Sequence, residues 1–112
     1  MAKDSNLLLG RILESINLIE TYIAGENQQS FMASFEKRDA VAKRLELIGE
    51  IVKKLLDDVK NLSPQVPWKK IAGLRDILTH DYFDVDEELL WEVIIKDLPD
   101  LKINIIELLE KI

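Results

Sequence analysis

Apolar residues recur along the chain at the three- and four-residue intervals of α-helices and nowhere alternate as strands do. Ile12, Ile16, Ile19 and Ile23 fall on one stripe, extended backwards by Leu8 and Leu9, and predict a first helix over 5–24. Asp4 or Ser5 is suited to cap its start, and Gly25 stands where a left-handed residue closes a helix. The polar stretch ENQQS follows, with Ser30 placed to cap a short turn carrying Phe31 and Phe35. Val41, Leu45, Ile48, Val52, Leu55, Leu56, Val59 and Leu62 keep helical spacing and predict one long helix over 36–61. Pro64 and Pro67 then break the pattern, because proline lacks the N–H and clashes with the preceding turn.

A third helix is predicted over 68–79, with Pro67 suited to its first turn. Ile71, Leu74 and Leu78 make its core positions, with Ile77 beside them. Gly73 lowers helix propensity there and predicts a close approach by another backbone. After a loop over 81–85, Asp86 with Glu87 and Glu88 gives a capped, dipole-matched start to the last helical region. Leu90, Trp91, Ile94 and Ile95 form its apolar face. Pro99 predicts either two helices or one kinked helix, resuming with Leu101, Ile105, Leu108 and Leu109. The expected fold is an all-α, up-and-down bundle of four to five helices, a single domain over 1–112.

Composition narrows the function classes. With 112 residues, 47% hydrophobic and 32% charged, the chain can bury a core without staples. It has no cysteine, which excludes disulfides and thiolate metal sites and fits a cytoplasmic protein. The N-terminal apolar run is interrupted by charges and lacks a small-residue cleavage site, so no signal peptide is expected. No apolar run approaches the ~18 residues that span a bilayer. The net charge of −6 argues against a general nucleic-acid coat protein. It is unevenly spread: residues 37–75 carry ten Lys/Arg against five Asp/Glu, whereas 76–112 carry three against eleven. This unevenness reflects either two solvated helix faces of different sign or a basic middle segment that faces phosphates on a mostly acidic body.

The candidate chemistry lies in 68–86, WKKIAGLRDILTHDYFDVD, which holds the only histidine, His80. Arg75 offers a permanent planar cation that fits phosphate oxygens. His80 offers a group that titrates near neutral pH. Asp76 shares a helical face with His80 and could orient or charge the ring, whereas Arg75 and His80 are separated by about 140° on a helix. The spacing equally suits a purely structural role, with His80 as a dipole partner at a helix C-terminus and Arg75 as an ion-pair donor. There is no phosphate-cradling glycine loop and no His/Cys cluster, so no metal or cofactor is expected. Asp81, Asp84 and Asp86 begin like a calcium loop, but its glycine and closing glutamate do not follow in register. Metal-free RNA cleavage through the 2′-hydroxyl needs a base, an acid and a cation for the phosphate charge. One chain supplies a single histidine, so catalysis here predicts a homodimer with a shared site.

At these residues the chain resembles the HepT family of the HEPN superfamily of helical ribonucleases. The family motif, R-x-x-x-x-H-x-Y, stands here as Arg75-Asp76-Ile77-Leu78-Thr79-His80-Asp81-Tyr82. Pro67-Trp68, Ile71-Ala72-Gly73, Arg38-Asp39-Ala40-Val41, Ile48-Gly49-Glu50 and Asp97-Leu98-Pro99 agree with it as well. The resemblance implies a HEPN-like bundle and the toxin half of a toxin–antitoxin module. Such a toxin is a homodimeric, metal-independent endoribonuclease whose paired motifs face each other. It implies Arg75 and His80 as the catalytic pair and Asp76 as a polar helper. It also implies a minimal nucleotidyltransferase partner, MntA-like, that silences the toxin by transferring AMP to the motif tyrosine, Tyr82. The alternative is a non-catalytic helical subunit that binds such a nucleotidyltransferase and its nucleotide or substrate.

Overall fold

The computed structural model describes residues 2–80 and 87–112, with side chains over 4–75 and 88–112, and among them the regular structure is helical, with no strand. α1 (Ala2–Ile23) starts ahead of the expected cap: Asp4 lies within its first turn and Ser5 is buried, so neither caps it. Gly25 closes it in the left-handed region at φ 78°, where a Cβ would be strained.

α2 (Gln28–Ala33) is capped by Asn27 rather than Ser30. The Ser30 N–H donates to Asn27 Oδ1 at 2.8 Å, and the Asn27 N–H donates to Ser30 Oγ at 3.0 Å, a reciprocal capping box. Ser34 ends α2 and caps α3 (Phe35–Lys54), accepting from the Lys37 N–H. Its extended backbone re-aims the chain, so Phe31 and Phe35 do not share a face. Phe31 is fully buried against Trp91, with ring centroids 5.3 Å apart, while Phe35 is 75% exposed.

The expected long second helix divides. Leu55 and Leu56 adopt extended conformations, and the short α4 (Asp57–Lys60) follows. The break sinks Leu55 and Val59 into the core and leaves Leu56 and Leu62, both expected inside, exposed. Asp57 and Asp58 favour the fresh helix start because carboxylates complement its positive end. The Trp68 indole N–H donates to the carbonyls of Lys60 and Ser63, each at 3.1 Å, tying the turn to the next helix.

α5 (Trp68–His80) folds back along α3. α6 (Glu87–Glu92) runs without interruption into a π-helical turn (Val93–Asp97) and α7 (Leu98–Lys111). The single-helix expectation around Pro99 thus holds, with a π turn as the device. The Leu98 N–H reaches back to the Val93 carbonyl, and Pro99 sits in the first turn of α7, where its missing N–H costs little. The wider turn buries Val93, Ile94 and Leu98 together and turns Ile95 outward. Asp86, expected to cap α6, lies outside the described residues.

One core joins α1, α3 and α7: Ile12, Ile16, Ile19, Val41, Leu45, Ile48, Ile105 and Leu108 are all fully buried. The architecture is the expected all-α, HEPN-like bundle. Among the described residues, no helix is long and apolar enough to cross a membrane.

Candidate functional site

Arg75 stands in the second turn of α5, half-buried where that helix crosses α3. The crossing is made close by Gly49. A Cβ placed there would lie 3.1 Å from the Arg75 Cβ, the Arg75 backbone nitrogen and the Ile71 carbonyl oxygen. Two of those three atoms are backbone, so the helices could not stay this close around a larger residue. Gly73, the glycine expected to serve this purpose, has open space where its Cβ would be. Helix propensity marks both glycines alike, and only the partner helix distinguishes them.

α5 is helical through His80, its last residue. Asp76 and His80 therefore occupy one side of the helix backbone, and Arg75 projects from another. The rise from Arg75 to His80 is roughly 7.5 Å along the axis. The side chains of Asp76, Ile77, Leu78 and His80, and Tyr82 entirely, lie outside the described residues. So do Asp81 and Asp84. Of the expected catalytic pair, Arg75 is the member whose surroundings the structure gives.

The basic middle segment is partly engaged. Lys37 pairs with Glu26, and its hydrogen bond, with a second from Ser30, holds the Glu26 carboxyl below its usual value of 4.5. Lys70 meets Asp97 at 3.3 Å. Lys43, Lys53 and Lys69 are exposed, and Lys53 lies one turn beyond Gly49 on the same side of α3.

A cleft of about 370 Å³ lies between the start of α5 and the π turn with α7. Its walls are apolar, including Leu45, Ile71, Leu74 and Leu101, and polar pairs stand along its rim: Lys70 with Asp97, and Gln65 with Asn104 at 2.6 Å. Arg75 is not among the described residues that line it. Among the described residues, no group of three or more acidic or histidine side chains is placed to hold a metal ion.

Sequence reasoning did not single out Phe35 and Arg38 together. The Arg38 guanidinium lies over the exposed Phe35 ring, 5.4 Å from its centroid, and donates to the Met32 carbonyl at 3.4 Å. A three-residue aromatic-to-arginine spacing at a helix start was the available signal.

A protein of Methanocaldococcus jannaschii, named as a gamma-glutamylcyclotransferase and candidate RNase, is 43% identical over all 112 residues. This chain spans 50% of that protein's length. A candidate ribonuclease HepT of Thermococcus cleftensis is 40% identical over 81% of this chain and 83% of that one. A candidate RNase of Caldanaerobacter subterraneus is 36% identical over 92% of each. No solved structure matches. The ribonuclease HepT-like family matches residues 12–108, nearly the whole bundle with the α3–α5 crossing at its centre. With that extent of agreement the chain belongs to the ribonuclease HepT-like family.

Proposed function

We propose that the chain is a metal-independent endoribonuclease toxin, acting in the cytoplasm as a homodimer whose two motifs form one site. The observation that carries this reading is the seating of Arg75 on the Gly49 crossing in a chain of a ribonuclease family. The crossing holds the backbone and Cβ that carry the Arg75 cation, so little backbone freedom remains to be lost when that cation meets phosphate.

In this reading a histidine takes the proton of a ribose 2′-hydroxyl, and that oxygen attacks the adjacent phosphorus. The 5′-oxygen leaves with a proton from the second copy's equivalent histidine, giving a 2′,3′-cyclic phosphate and a 5′-hydroxyl. Arg75 stabilises the charge gathering on the phosphate oxygens, and Asp76 orients the ring of His80. A single histidine per chain makes the second copy necessary. Tyr82 is the off-switch: AMP transferred to it from ATP by an MntA-like minimal nucleotidyltransferase adds bulk and negative charge beside the site, repelling RNA.

The test is RNA cleavage in EDTA by the wild type, Arg75→Ala and His80→Ala. We expect each substitution to lower the rate by at least ~100-fold with the fold intact, in line with loss of one charge-stabilising group. Undiminished cleavage by both variants would overturn the assignment. A wild type that cleaves nothing, yet takes up AMP in a Tyr82-dependent way, would instead identify a non-catalytic partner of the nucleotidyltransferase.

A further inference from the structure

Exposed aromatic rings are uncommon on helix surfaces because water excludes them, and at 75% exposure Phe35 is the most exposed large hydrophobic residue among those described. It is also held in place. Ser34 caps the helix it opens, and Arg38 stacks on one face of its ring while anchored to the Met32 carbonyl. A ring stiffened this way, with a guanidinium beneath it and its other face in water, matches what an unpaired nucleobase stacks upon.

Its place in the fold supports the same occupant. α5 folds back along α3 from the Trp68 turn, so its C-terminal end approaches the N-terminal half of α3. Phe35 lies fourteen positions before Gly49, or roughly 21 Å along the helix, and His80 lies roughly 7.5 Å beyond Arg75 in the same direction. For antiparallel axes, these rises put the Phe35 backbone roughly 13 Å beyond the end of α5 along the helix direction. Residues 35–44 carry four basic and two acidic side chains, so the local charge favours a phosphate backbone.

We infer that Phe35, backed by Arg38, is a stacking platform for an unpaired base of single-stranded RNA, holding the strand to one side of the Arg75–His80 motif. The inference rests on the ribonuclease reading above. It assigns this enzyme a preference for unpaired over duplex RNA, since a base within a duplex has no free face to offer.

The experiment measures binding of a fluorescent twelve-nucleotide single-stranded RNA, and of a duplex of the same length, in the His80→Ala background. Phe35→Ala and Phe35→Leu should each weaken single-strand binding by about 5- to 100-fold, the range expected for losing one stacked base. Phe35→Trp should retain it, and duplex binding should change little in all three. Equal binding by Phe35→Leu and the wild type overturns the platform, because an apolar contact without a ring would suffice. So does a fall in native mass in Phe35→Ala with RNA binding unchanged, which would make the ring a contact between copies. If Phe35→Ala binds normally while unmodified chain cleaves RNA, this inference fails alone; if unmodified chain neither binds nor cleaves RNA, the ribonuclease reading fails with it. Circular dichroism checks the fold of each variant, which an exposed position should leave intact.

Discussion

Two seams of the bundle meet at α3 and are built in opposite ways. Toward α1 the contact is made by large branched side chains: Ile12, Ile16 and Ile19 are fully buried in a core shared with Val41 and Ile48. Toward α5 it is made at one point by the absence of a side chain, Gly49. The first seam gains stability by removing apolar area from water. The second gives up that gain at one position and obtains a fixed distance between two backbones, one of them carrying Arg75. Bulk holds the fold together, while closeness sets where Arg75 stands.

That contrast is open to direct attack. Ile16→Ala should have the largest effect, about 2–5 kcal/mol of stability lost in urea unfolding, from lost transfer free energy and a residual cavity. Its cleavage rate per folded molecule should stay near that of the wild type. Gly49→Val should cost about 1–3 kcal/mol through overpacking against the Arg75 and Ile71 backbone, and should lower cleavage among molecules that remain folded. If Gly49→Val loses stability but cleaves at full rate, the crossing does not position the arginine and the two seams are alike.

The smallest expected change is at the Lys37–Glu26 pair, which links the start of α3 to the turn after α1. Hydrogen bonds from Lys37 and Ser30 lower the Glu26 carboxyl below 4.5 in the folded chain. Its contribution is therefore present above about pH 4.5 and is lost as pH falls through the lowered folded value. The melting temperature of Glu26→Gln should fall slightly below that of the wild type at pH 7. The gap should close in acid and shrink in high salt, because both side chains of the pair are partly open to counterions.

Much of this was legible in the chain, for reasons that differ by residue. The α1 stripe could be read because every isoleucine in it satisfies one period and one partner face. Gly25 could be read because few residues but glycine accept a left-handed turn. The break at Leu55 and Leu56 could not, because neither proline nor glycine marks it. Ile95 was misplaced for a related cause, since a π turn shifts the register by one residue that a 3.6-residue period does not anticipate. At the site, Arg75 was legible as a residue type in a motif. Its support was not, because Gly49 and Gly73 look alike until the opposing helix is in place.

The Trp68 indole, bound to two carbonyls at the mouth of α5, gives the molecule a built-in lamp. Its one counterpart, Trp91, follows the motif in sequence and sits against Phe31. The two chromophores bracket the stretch that carries Arg75, His80 and Tyr82. Single-tryptophan variants thus offer separate optical readings of the entry to the motif and of the exit from it, without any added label.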